Sequence, residues 1–182
     1  MGVLLAFSRG VDGMNAQFGR LADWCILLAC AISAGNALSR YGLNFSSNAW
    51  LEVQWYLFTA VVMLGASYTL FRNEHVRVDL IYGWISERGR LYVDIFGFIV
   101  FLLPAMILLA WMTWPFFLDS FLRGEGSASP GGLLRWPAKL LLPLGFSLLI
   151  LQGLSELIKR LAMLQGPVEG VAVVTEYQRP EQ

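Results

Sequence analysis

Apolar and polar positions alternate along this chain in long blocks, with short charged stretches between them. The clearest block runs from Trp50 to Asp79 and reads WLEVQWYLFTAVVMLGASYTLFRNEHVRVD. No charge falls between Glu52 and Arg72, which leaves the 19 residues from Val53 to Phe71 suited to hydrocarbon. At 1.5 Å of rise each they extend about 28 Å, close to the thickness of a bilayer core. Trp50, Trp55 and Tyr56 stand near one end, where amphipathic rings favour the water–lipid boundary. Arg72, Glu74, His75, Arg77 and Asp79 form a polar collar at the other. The pattern predicts a transmembrane helix over about 50–71.

Three further blocks repeat the signal. Residues 21–39 predict a first span, with Asp23 one helical turn from Arg20 and Arg40 closing the segment. A short connection, Tyr41 to Ala49, makes the first two helices an antiparallel pair. Residues 92–118 predict a third span, since the 24 residues from Ile95 to Leu118 carry no charge. Pro104 in its middle should kink it or leave a carbonyl unpaired, and Pro115 marks the end of its regular stretch. After a turn-rich loop containing RGEGSASPGG, Trp136 and Pro137 open a fourth span over about 137–160. Pro143 should bend its first half. Glu156 forms i,i+3 and i,i+4 pairs with Lys159 and Arg160 where the chain leaves the membrane. The fold expected is an all-α integral membrane protein with four transmembrane helices, occupying residues 21–164, and short interfacial amphipathic helices.

Two amphipathic stretches flank these spans. In residues 1–20, Leu4, Phe7, Val11, Met14 and Phe18 recur at helical spacing, although Gly10 and Gly13 weaken a helix. This reads as a segment lying on the membrane surface or against a partner; the alternative is a frayed terminus. Leu80, Ile81, Trp84 and Ile85 share one helical face, with Arg77, Glu87, Arg88 and Arg90 beside it, and suggest a short interfacial helix or a plain loop. Residues 165–182 are polar and read as a disordered tail.

Composition supports the membrane reading. Hydrophobic residues make up 57% and charged residues 14%, against about 25% charged in soluble domains. Thirteen basic and thirteen acidic residues balance, so there is no nucleic-acid footprint. Cys25 and Cys30 lie five apart in the first span and face different sides of a helix, which argues against a disulfide or a zinc site. Val3 to Phe7 is too short for the apolar region of a cleavable signal peptide. Eight basic residues (Arg9, Arg20, Arg72, Arg77, Arg88, Arg90, Lys159, Arg160) flank one side of the predicted bundle and four (Arg40, Arg123, Arg135, Lys139) the other. The excess places both termini in the cytoplasm.

The residues show no catalytic constellation: no Ser/His/Asp set, no phosphate-binding glycine loop, no paired intramembrane carboxylates. No predicted span carries a charge at mid-depth, as a proton or ion path usually would. Bis-histidine haem ligation needs two histidines, and His75 is the only one. Two polar sites stand out. Glu52 lies one turn inside its boundary and can pair with Arg40 across the short connection or with a cation of a partner. The collar from Arg72 to Asp79 suits lipid headgroups, a partner chain or simple solvation. Gly65, Gly97 and Gly145 mark points where helix backbones can approach closely.

At Arg40, Trp50-x-Glu52, Gly65 and Arg72-x-Glu74-His75-x-x-Val78-Asp79 the chain resembles the small membrane subunit of TRAP transporters (tripartite ATP-independent periplasmic transporters). The string from Gly131 to Arg160, with Arg135 and Trp136, is similar to members linked to mannitol or chloroaromatic acid uptake. Val53 and Gln54 depart from the pattern, where many members carry a second acidic residue. The resemblance covers about Leu21 to Arg160. It implies a multi-pass protein of a bacterial or archaeal inner membrane that partners a large permease subunit. A periplasmic binding protein would deliver an organic acid. Substrate and Na⁺ would bind in the large subunit, leaving this chain without a cofactor and with a scaffold's role. Arg40, Trp50, Glu52, Arg72, Glu74, His75, Arg77, Asp79, Arg135 and Trp136 are then candidate contacts to partners or membrane lipids. A stand-alone four-span assembly or lipid-binding protein is the competing reading.

Overall fold

The computed structural model describes residues 2–75 and 85–166, and its regular elements are all helices. Helix α1 spans Gly2–Leu43 and α2 spans Asn48–Phe71. Helix α3 spans Glu87–Gly97 and passes through a π-helical turn, Phe98–Leu102, into α4, Leu103–Arg123. Helix α5 spans Trp136–Gln165. Among the described residues, four helices are long and apolar enough to cross a membrane: α1, α2, the continuous α3–α4 rod and α5. The chain therefore crosses back and forth between two ends. One end carries the start of α1, the start of α3 and the exit of α5. The other carries the α1–α2 connection and the α4–α5 loop.

The core lies where α1, α2 and α5 meet. Cys25, Ala60, Leu64 and Leu148 are buried together, with Met14, Phe18, Leu57, Val61 and Leu141 packed around them. Small residues make this close approach possible, because helices in lipid gain cohesion mainly from van der Waals contact. A Cβ on Gly145 would stand 2.7 Å from the Met63 carbonyl oxygen, so α2 and α5 touch backbone to backbone there. A Cβ on Gly65 would make only ordinary contact with Ala22, and Gly97 faces open space. Of the three glycines picked out by sequence, Gly145 is thus the one that a helix crossing demands. Cys25 is buried in this core and Cys30 faces outward, both as free thiols.

Residues 2–20 do not form a separate surface helix. They continue straight into the first span as one 42-residue helix, about 63 Å long at 1.5 Å per residue. Val11 is buried and Met14 and Phe18 pack on the core, but Leu4 and Phe7 are exposed. The buried face there also carries Ser8 and Asn15. Polar bonding to α5 holds this part of α1, so the apolar stripe alone gave the wrong environment.

Pro104, Pro115 and Pro143 are all accommodated within continuous helices. Ahead of Pro104, whose ring crowds the preceding turn, the helix widens by one residue, and the Leu103 N–H bonds the Phe98 carbonyl. Pro115 does not end its helix; α4 runs on to Arg123 and stops at Gly124, where φ is +59°. One missing N–H costs less than breaking a helix inside a membrane, where freed backbone groups meet no water. Helix α5 likewise runs unbroken through Pro143.

Candidate functional site

Polar side chains gather in two layers, one at each end of the bundle. At the loop end, residues 124–135 fold into an ordered latch. Ser127 N–H donates to the Leu133 carbonyl at 2.9 Å, and Arg135 N–H to the Glu125 carbonyl at 2.8 Å. At the tip, Gly132 N–H reaches the Ser129 carbonyl at 3.0 Å. Pro130 and Gly131, with φ of +70° at the glycine, occupy the middle of that turn as a type II turn requires.

Glu52 reaches into this loop from the first turn of α2. Its carboxylate accepts the Leu133 N–H at 2.6 Å and the Ser127 hydroxyl. A Cβ on Gly132 would stand 2.7 Å from Glu52 Oε1, so glycine there leaves room for the carboxylate. Asn48 and Tyr56 add bonds to the Pro130 and Leu134 carbonyls, at 3.0 and 2.9 Å. Glu52 therefore does not pair with Arg40, which is exposed. One backbone N–H and one hydroxyl of the loop, 81 and 75 positions away, take that place. Beside it Glu125 binds Lys139 and lies 3.4 Å from Arg135 Nη1. These contacts, the Lys139 bond foremost, hold the Glu125 carboxyl below its ordinary value.

The opposite end carries the denser layer. Asp12 on α1 accepts Lys159 at 3.1 Å, Ser155 at 3.0 Å and Gln152 at 2.9 Å. Glu156 accepts Lys159 at 2.5 Å and Arg160 at 2.6 Å. Arg160 Nε also donates to Asp94 on α3 at 2.8 Å. Its guanidinium lies 4.7 Å from the Phe98 ring, in the π-helical turn. Asn15 donates to Gln152 Oε1 at 2.7 Å. Since the Ser155 hydroxyl donates to Asp12, the Ser8 hydroxyl is the donor in the 2.5 Å contact between the two serines. Arg160, Gln152, Asn15, Ser8 and Ser155 are almost wholly buried. Buried charges persist only when paired and hydrogen-bonded, and here the pairing joins α1, α3 and α5.

The other residues singled out by sequence are spread along the surface. Trp50 is partly exposed near Gly35 on α1. Arg72 and Glu74 form an exposed pair at 3.4 Å, and His75 is exposed. Arg77 and Asp79 lie outside the described residues, as does most of the interfacial stretch around Leu80 and Trp84, and so does the polar tail. Arg135 belongs to the latch, and Trp136 packs edge-on against Phe121 at 5.4 Å. Sequence reasoning missed Asp12, Asn15, Asp94 and Gln152. The run Gln152, Ser155, Glu156, Lys159 along one face of α5 was the available signal.

Four spans, polar groups paired at both ends and an apolar middle define a multi-pass membrane protein. Residues 29–163 match the family described as Tripartite ATP-independent periplasmic transporters, DctQ component. That match covers well over half of the chain, and the chain belongs to this family: it is the small component of a TRAP transporter, in a family of transporter subunits and not of enzymes. Membership implies partnership with a large permease and a binding protein. No curated protein and no solved structure matches the chain.

Proposed function

We propose that this chain is the small scaffold subunit of a Na⁺-coupled TRAP transporter, bracing the large permease in the inner membrane without binding substrate itself. A periplasmic binding protein delivers an organic acid, and the large subunit holds both solute and Na⁺. The likeness of Gly131 to Arg160 to members linked to mannitol or chloroaromatic acid uptake suggests where to begin the substrate search. The basic excess at the end carrying the termini supports a cytoplasmic placement for it, and an outward placement for the latch.

The observation that carries this reading is the charge layer of Asp12, Asp94, Glu156, Lys159 and Arg160. Its groups are spent on one another across three helices. Such a layer fixes the helices and offers no path for a solute. The bracing role is tested in vesicles with a Na⁺ gradient that contain the large permease, with and without this chain, and with the binding protein supplied outside. The uptake panel comprises organic acids, chloroaromatic acids and mannitol. The reading predicts Na⁺-dependent uptake that requires this chain. Full uptake in its absence would overturn it.

A further inference from the structure

We propose that the cavity beside Glu52 is a binding site for one phospholipid, and that it prefers a zwitterionic phosphoethanolamine head. The proposal is separate from the bracing role and asks only that the chain sit in a bilayer. The cavity encloses about 290 Å³, many times one water's share of about 30 Å³. It opens between the first turns of α2 and α5, at the loop end of the bundle.

Its walls have two characters. Trp55, Tyr56 and Ala138 supply the apolar lining, and Trp55 is 66% exposed. Glu52, Ser127, Ser129, Arg135 and Lys139 supply the polar lining. An aromatic wall at the membrane boundary suits the glycerol and upper acyl region of a lipid; a soluble anion gains nothing from it. Arg135 is the open hand of the site. Its side chain is 46% exposed, and its one hydrogen bond to a described side chain is the 3.4 Å contact with Glu125. A guanidinium has five donors and takes the paired oxygens of a phosphodiester in a fork.

The charges select the head. Of the charged lining residues Glu52, Arg135 and Lys139, Lys139 is taken up by its pair with Glu125, which does not line the cavity, so Glu52 and Arg135 face the ligand with one charge of each sign. A head carrying both signs matches that pair, with the phosphodiester on Arg135 and the ammonium on the Glu52 carboxylate. A phosphoglycerol head brings an unbalanced negative charge next to Glu52.

The test uses the full chain, purified in mild detergent and washed free of native lipid. Dihexanoyl phosphatidylethanolamine, dihexanoyl phosphatidylglycerol and inorganic phosphate are added in separate arms, and bound adducts are read by native mass spectrometry. One phosphatidylethanolamine should be retained in preference to the other two. Arg135→Gln should weaken it about tenfold, the loss of one charge-assisted contact. Ala138→Trp, which fills the cavity and leaves every charge in place, should abolish it. Arg123→Gln removes an exposed pair with Asp119 outside the cavity and should change nothing. Equal retention by Ala138→Trp or by Arg135→Gln would overturn the site. Phosphatidylglycerol bound as tightly would overturn the head preference, and phosphate alone bound as tightly would make it a soluble-anion site. No retention at all would also overturn it.

Discussion

Lys159 Nζ stands 3.1 Å from Asp12 Oδ2, although 147 positions separate the two residues. This contact joins the first helix to the last, and Lys159 is only 7% exposed. Removing one member of a buried pair leaves the other charge without compensation, at about 3–5 kcal/mol. Asp12→Ala and Lys159→Met should each lower the thermal unfolding midpoint in detergent sharply. The double variant should recover much of the loss. Additive losses in the double variant would mean that the two side chains act separately.

The glycines give a contrast with opposite signs. Gly145→Ala places a methyl against the Met63 carbonyl and forces α2 and α5 apart, while Gly97→Ala meets open space. The first should destabilise the bundle. The second should stabilise it by roughly 0.5–1 kcal/mol through helix propensity alone. Both are read from the same melting curves.

Glu52 fastens the loop to α2 through Leu133 and Ser127. Glu52→Ala leaves the Leu133 N–H without its acceptor, and Gly132→Ala pushes a methyl toward Oε1. Both variants should speed amide exchange at residues 127–133 and expose the loop to protease, with the core of the bundle unaffected. Unchanged exchange in the loop would show that the latch is held by its internal turns alone.

Acid should open the same loop through Glu125. The Lys139 hydrogen bond, above all, holds its carboxyl below the ordinary 4.5. A lowered carboxyl stabilises the folded loop above the unfolded value and loses that contribution as pH falls through the folded one. Loop protection should be flat at neutral and mildly acidic pH and fall only below 4.5. In Glu125→Gln that acid limb should shrink to the part that protonation of Glu52 contributes.

The spans were legible because a bilayer demands long uncharged runs, and α2, α3–α4 and α5 lie where those runs do. The path of α1 was not, since its first turns are held by Ser8, Asp12 and Asn15, and those bonds appear only once α5 is beside them. Glu156, Lys159 and Arg160 could be paired from spacing, which is local; Asp94 lies 66 positions from Arg160, beyond any local pattern. The same holds for Glu52. Arg40 is its near neighbour in sequence, whereas its partners come from a loop between the last two spans.

The central claim is that this chain braces a larger permease. Its most direct test is purification of the tagged chain in mild detergent, followed by native mass spectrometry of what accompanies it. The account predicts a large multi-span permease at one-to-one stoichiometry, lost when the pairing of Asp12 and Lys159 is broken. A chain recovered alone, monodisperse and folded, would contradict it.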